Sequence, residues 1–398
     1  MVFNMRDTER PTGTAVYVQV PFCPERCEYC SIPVSTSHLQ LDDYLEALER
    51  EVSRILPDIR LRSIVSLYVG GGSPTSIPPH AFERLLSILS PILSQDISEI
   101  TFESRPDALS NVIMEQLKTL PNLRLSLGVE SLDRSCLDTL GRKAPLLSPL
   151  KLLEKIRHSN LSAQVSMDFI VTGKDFNIDQ FLTVGRELGD NGLDHLSIYP
   201  LVIEDQTVLS LRKSQNKTEV DWEESAGENW HRSCEGLSRL GWKRYEVSNF
   251  RKISGKGCLH NLHVWKGGET FGLGPGAHQT IQSVRYENVR SLNDYIRKSR
   301  DEDTHPYEFR EALSEEQMRI ELFYTSLRLE TGLSVEWILR HSFPEKIMSL
   351  IDLFVRNGYG NIVRNDGERF VLTDQGLFRL DEIVSSFLEC LQSGSIIR

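Results

Sequence analysis

Near its start the chain sets three cysteines within eight residues, Cys23, Cys27 and Cys30, in the spacing C-x3-C-x2-C. They directly follow an alternating run, Ala15-Val-Tyr-Val-Gln-Val20, that reads as a strand. Three closely spaced thiolates hold three irons of a [4Fe–4S] cluster and leave the fourth iron open. An open iron is a place for chemistry as well as for electron transfer. The other readings of such a triad fit less well. A disulfide framework wants an even count in a secreted chain. Here the count is 7 in 398 residues, and the first ten residues lack the apolar core of a secretory signal. A zinc site wants a fourth ligand nearby, for which His38 is the close candidate.

Free thiols beside a reducible cluster fit a reducing compartment, so a cytoplasmic setting is expected. A net charge of -11 argues against broad nucleic-acid binding by electrostatics. No stretch is apolar enough over the length needed to span a bilayer. Hydrophobic content of 39% and charged content of 25% suit a chain with ample core, long enough for two or three domains.

Strand-like runs fall at 15–20, 64–70, 98–103, 123–128, 163–170 and 194–200, with helical stripes between them. Leu41, Tyr44, Leu45, Leu48, Val52, Ile55 and Leu56 mark one helix face. Six β/α units in order imply a parallel sheet with helices outside it. The expected fold is α/β, a partial (β/α)6 barrel whose ligands sit at the carboxyl ends of the strands. Over 241–281 the texture changes to loops and short apolar pieces rich in Gly, His and aromatics. From Ser314, a capping box, the chain turns helical, and 361–372, broken by Asn365-Asp366-Gly367, reads as a hairpin. Helices followed by a hairpin resemble a small winged-helix domain. Without a basic stripe, a lid or partner contact suits it better than nucleic acid. The expected division is 1–14 as an N-terminal segment, 15–240 as the barrel, 241–305 as a junction, and 306–398 as a C-terminal helical domain.

Further motifs lie at the ends of these strands. Gly70-Gly71-Gly72 ends the second and lets backbone approach a ligand amine closely. Glu103 ends the third; it is either a partner for an ammonium group or a salt-bridged strand-end acid. Glu130 follows the fourth strand, and Arg142 offers a bidentate contact to a carboxylate. Asp168 sits in a run otherwise made of Val, Met, Phe and Ile, which is hard to explain as surface. Cys258, His260, His263 and His278 read as ligands of iron or haem, and equally as part of a loop whose histidines and Trp265 pack against the barrel mouth.

With these residues assembled, the chain resembles the oxygen-independent coproporphyrinogen III oxidase-like (HemN/HemW) family of radical S-adenosylmethionine (SAM) proteins, on its haem-chaperone side. The resemblance runs over nearly the whole chain, through Tyr17, the triad, Gly70-Gly71-Gly72, Glu103, Gly128, Arg142, Asp168, Tyr199, Tyr245, Cys258, His260, Trp265 and Gly272 to Leu372-Thr-Asp-Gln-Gly376. It implies a [4Fe–4S] cluster on Cys23, Cys27 and Cys30. It implies SAM against Tyr17, Gly71, Gly72, Glu103, Glu130, Arg142 and Asp168, and a haem loop at His260, His263 and Trp265. It also implies reductive cleavage of SAM, an electron donor such as flavodoxin or ferredoxin, and haem-accepting proteins as partners. Ser31 and Ile32 stand where the oxidases carry a fourth cysteine, 22 residues precede Cys23, and the loop reads HNxxVW; all three favour the chaperone side. The chain departs from the family at Gln19, Glu130, Ala144 and Val264. These departures keep open a radical SAM methyltransferase acting on a small molecule, and, with less support, a coproporphyrinogen III dehydrogenase.

Overall fold

The structure is a computed structural model describing residues 10–173, 175–215, 222–301, 305–341, 344–364 and 367–392. Most of the 1–14 segment, and Asn365 and Asp366 of the hairpin turn, lie outside the described residues.

Six parallel strands follow one another in sequence order: β1 (Thr14–Val20), β2 (Ile64–Gly71), β3 (Glu99–Ser104), β4 (Leu123–Glu130), β5 (Gln164–Val171) and β6 (His195–Pro200). Each is followed by helix, beginning with Leu41–Arg60, whose buried face carries Tyr44, Leu45, Leu48, Val52 and Ile55. The outward-facing strand residues and these helices build one apolar core, with Val16, Val18, Leu67, Phe102, Leu125, Met167 and Ile198 in it. Burying such side chains is worth about 1.5–3 kcal/mol each and drives the helices onto the sheet. This is the expected partial barrel.

The texture of 241–281 resolves differently from its expectation. It supplies β7 (Lys243–Arg244), β8 (Asn249–Arg251), β9 (Glu269–Leu273) and β10 (His278–Ile281), and β11 (Val284–Asn288) and β12 (Tyr307–Ala312) follow. Among the described residues one sheet has twelve strands, in the order β12-β11-β10-β9-β1-β2-β3-β4-β5-β6-β8-β7. The strand β9 runs parallel to β1, while β8 runs antiparallel to β6. The added strands therefore pair both edges that the six-stranded barrel would leave open.

A second apolar core, including Leu322, Phe323, Leu333, Trp337, Ile351, Phe370 and Phe387, gathers the C-terminal helices. With them goes a three-stranded antiparallel sheet, β13 (Leu333–Ser334), β14 (Gly360–Arg364) and β15 (Glu368–Leu372). The capping box is present: the Ser314 hydroxyl accepts from the Gln317 N–H, and the Gln317 side chain accepts from the Ser314 N–H. This unit is fastened to the barrel by polar contacts. Glu330 pairs with Arg251 at 2.6 Å and Lys243 at 2.7 Å, and its N–H donates to the Tyr245 carbonyl. No described helix is long and apolar enough to cross a membrane.

Candidate functional site

The triad lies on the loop between β1 and the helix Leu41–Arg60. This loop is tied at both ends and along its length. The Cys23 N–H donates to Ser35 O, and the Ser35 N–H donates to Pro21 O. The Cys30 N–H turns back to Cys27 O. Glu25, between two of the cysteines, accepts from Arg105 at 2.9 Å and from the Lys143 N–H at 3.2 Å. Arg105 is held in turn by both oxygens of Asp107. Such bonds set the three thiols in place before any metal arrives.

All three thiols line one cavity of about 540 Å³ at the carboxyl ends of the strands. Cys27 is buried, and burial pushes its thiol up to about 11 against the pull of Arg142; Cys30 is raised for the same first cause. Cys27 and Cys30 are therefore protonated when free, and iron binding must displace those protons. Among the described residues no three His, Cys, Asp or Glu side chains converge on a point that would hold a single ion. A cluster asks for something else, one thiolate per iron. The three thiols meet that requirement: they are near enough to act on one another electrostatically and open on a shared cavity.

The cavity wall is built from alternate residues of the strands, as the two-residue period of a strand requires. Tyr68, Glu103, Ser126, Asp168, Ser197 and Tyr199 all line it. At the end of β2, Gly71 has φ +101, and its N–H donates to Glu103 at 2.9 Å. A Cβ on Gly72 would stand 2.3 Å from the Phe22 carbonyl oxygen. The chain can thus lie against the cluster loop only with glycine there. Glu103 also accepts from the Tyr68 hydroxyl at 2.7 Å; burial raises its carboxyl, and these two bonds oppose the rise. Asp168 accepts from Ser126 at 2.7 Å and Ser166 at 3.0 Å. Arg142 is engaged by Glu130 at 3.0 Å and by the Gly128 carbonyl at 2.6 Å. The residues fit a cluster-bound amino acid cofactor: a bare glycine cradle and an acid for an amine, and an acid beside hydroxyls for a ribose.

The HNxxVW segment packs against the barrel from Glu99 to the cofactor cavity, which Asn261 lines. It forms the helix Leu259–Trp265, and Glu99, at the start of β3, accepts from the N–H groups of Leu259 and His260. His260 Nδ1 contacts the Ser66 hydroxyl at 3.0 Å, and burial lowers its pKa to about 3, so the ring is neutral. His263 Nε2 meets the Glu269 carbonyl at 3.0 Å, and Arg328 lies over the Trp265 ring at 4.3 Å. His260, Tyr17 and Gln19 line a second cavity of about 450 Å³ beside the cluster loop; His263 and Trp265 do not line it. His278, on β10, is well exposed and also borders this second cavity.

Sequence reasoning missed the polar network beneath Asp168. Ser166 joins Asp168 to His195 Nδ1 at 2.7 Å, and His195 Nε2 meets the Tyr245 hydroxyl at 2.7 Å. Burial lowers the His195 pKa, so this ring is neutral too. The signal was available: Ser166 and Asp168, and His195, Ser197 and Tyr199, repeat polar residues every second position in otherwise apolar strands.

The sequence profile of the Radical SAM superfamily matches residues 17–188. The haem chaperone HemW of Bacillus subtilis is 28% identical over 385 residues, covering 94% of this chain and 99% of its own. HemW of Mycobacterium tuberculosis is 28% identical over 407 residues, covering 98% of this chain and 100% of its own. A zebrafish relative, radical S-adenosyl methionine domain-containing protein 1, mitochondrial, is 26% identical and covers 94% of this chain and 86% of its own. Among solved structures, the coproporphyrinogen III oxidase HemN of Escherichia coli superposes with a TM-score of 0.77 at 17% identity, over 96% of this chain and 91% of its own. That likeness shows a shared fold from end to end.

Proposed function

We propose that the chain is a member of the radical SAM superfamily, in its HemN/HemW family, and within it a haem-binding chaperone that holds a [4Fe–4S] cluster and SAM. The observation that carries this reading is the match to HemW relatives along both full lengths, made by a chain with Ser31 and Ile32 directly after the triad. Cys23, Cys27 and Cys30 would hold the cluster. Gly71, Gly72 and Glu103 would receive the amine of SAM, and Asp168 its ribose. Glu130 and Arg142 would complete the surround, while Tyr17 lines the second cavity.

When bound, the cluster and SAM supply one-electron reduction and hydrogen-atom abstraction; the chain positions them and limits water. The cluster loop, clamped through Glu25, Arg105 and Asp107, would hold the cluster on its three cysteines in the cavity that Gly71 and Gly72 also line. Haem would meet the chain at the second cavity, where His260 stands. An electron donor and haem-accepting proteins complete the expected partners.

The test is anaerobic reconstitution followed by haem titration of the wild type and His260→Ala. Haem binding by the wild type, weakened in the variant, is expected. No haem binding removes the chaperone reading, and unchanged affinity in the variant removes this loop from it. A second reading, a methyltransferase, is favoured by Glu130, whose carboxylate stands in the cofactor cavity. It predicts S-adenosylhomocysteine among the products when the reduced protein is incubated with a substrate; its absence counts against that reading.

A further inference from the structure

Glu130 and Arg142 form a closed pair in the wall of the cofactor cavity, and three local features build it. Glu130 has φ +65, in the left-handed region that a glutamate rarely occupies, at the register shift between β4 and β5. Gly128 leaves the room: a Cβ there would lie 2.7 Å from Glu130 Oε1. The bare strand therefore lets the carboxylate fold back over it. Arg142 follows Gly141, whose φ is +64, and reaches Glu130 at 3.0 Å with one amino group and the Gly128 carbonyl at 2.6 Å with the other. The two side chains are 13% and 6% exposed.

A buried ion pair is a weak source of stability, since desolvation offsets attraction. Backbone held in a sparse region at a cavity wall points to a role in the site. The electrostatic effect is direct. Arg105 is already matched by Glu25 and Asp107. Glu130 likewise cancels Arg142. Glu103 and Asp168 remain facing the cavity with only hydroxyl and N–H partners. Arg124 also lines the cavity and acts on Glu103, so it offsets one of these two carboxylates. Arg26 and Glu204 in the same lining offset each other, and one negative charge is left in excess. With glutamine in place of Glu130, the Arg142 cation would stand uncompensated in the same wall.

We propose that Glu130 is a specificity-determining residue: by cancelling Arg142 it leaves a cavity wall of net negative charge, which selects the cationic sulfonium of SAM over the neutral thioether of S-adenosylhomocysteine. This rests on the reading of the cavity as a SAM site. SAM and S-adenosylhomocysteine share the amine, carboxylate and adenosine. They differ in the sulfonium charge and its methyl group, so the change in their affinity ratio from one variant to another reports the charge, and losses common to both cancel.

The experiment is calorimetric titration of the anaerobically reconstituted protein with SAM, S-adenosylhomocysteine and sinefungin, which carries an ammonium in place of the sulfonium. Iron content serves as the folding control. In the wild type, SAM and sinefungin bind more tightly than S-adenosylhomocysteine. In E130Q that preference falls roughly tenfold, the scale of one charge acting across several ångströms in a partly screened site. In the charge-balanced double variant E130Q/R142Q the ratio returns toward the wild-type value even though every affinity drops. A ratio unchanged in E130Q, or unrestored in the double variant, overturns the proposal. If E130Q takes up no iron, R142Q decides: with Glu130 unpaired the preference for SAM should rise roughly tenfold, and an unchanged ratio overturns the proposal. A wild type that takes up a cluster and binds none of the three ligands overturns the SAM reading itself; one that binds SAM without any preference overturns only the role given to Glu130.

Discussion

Replacing Gly72 by alanine adds one methyl group at the point where the end of β2 meets the cluster loop. Its carbon would stand 2.3 Å from Phe22 O, 2.8 Å from Phe22 C and 3.0 Å from Phe22 N. All three are backbone atoms, so no rotamer change relieves the contact. Restoring an ordinary separation moves the two segments apart by about 1 Å, against the close packing of protein interiors. That movement strains two short bonds, Gly72 N–H to Val20 O at 2.9 Å and Ser73 N–H to Phe22 O at 2.7 Å. Overpacking of this kind costs about 1–3 kcal/mol, and each weakened bond about 1 kcal/mol more. The expected loss is about 3–5 kcal/mol, a fall in Tm of roughly 4–6 °C for a chain of this size. Because Phe22 precedes Cys23, the displacement passes to the triad, and G72A should also take up less iron. The matched control is Gly227→Ala in the helix Trp222–Arg239, where a Cβ meets only Phe378 at 3.9 Å. Alanine there should stabilise by about 0.5–1 kcal/mol. Thermal unfolding with iron and sulfide assays reads both variants. A G72A protein that melts with the wild type and fills with iron equally would refute the close-approach argument.

Two other positions give sharp expectations. Glu51 is buried under the loop of Gly274 and accepts from its N–H at 2.8 Å, from the Tyr295 hydroxyl at 2.5 Å and from Asn288 at 2.7 Å. Burial raises its carboxyl from near 4.5 to about 7. The folded state thus holds a proton that the unfolded state releases, so this group's contribution declines as pH rises from about 4.5 to about 7, by about 3 kcal/mol. Denaturant unfolding across that window should show E51Q gaining on the wild type; parallel pH profiles would contradict the assignment. Arg244 is buried over the rings of Trp230 and Phe250 at 5.3 and 5.5 Å, and it approaches Asp374 at 3.1 Å without hydrogen-bond alignment. An apolar replacement should therefore cost little: R244M is expected within about 1 kcal/mol of the wild type. A loss above about 3 kcal/mol in denaturant unfolding would show that the cation itself holds the C-terminal unit.

The barrel was readable because its strands and helices each obey one period. The run 15–20 and the stripe from Leu41 to Ile55 declare themselves locally, and β1 through β6 fall within a residue or two of their expected spans. The triad was readable because thiolate spacing is itself the chemistry. The edge strands were not. Tyr307–Ala312 is largely exposed, so no apolar alternation marks it, and Lys243–Arg244 is two residues long. The HNxxVW segment shows a different limit. A histidine that anchors and a histidine that binds look alike in sequence. What gives His260 its present partners is Ser66, 194 residues away, and Glu99, 161 residues away. Glu130 was readable as a charge near the cofactor, but its pairing with Arg142 depends on a bulge and a bare Gly128 that no periodicity announces.

The central claim is that three thiols on one loop grip an iron–sulfur cluster that SAM then meets. Electron paramagnetic resonance of the anaerobically rebuilt and reduced protein, with iron and sulfide counted on the same sample, tests it most directly. The account predicts about four irons and four sulfides per chain, a reduced-cluster signal that shifts when SAM is added, and loss of both in C27A. A wild-type signal indifferent to SAM, or a full cluster retained without Cys27, would contradict it.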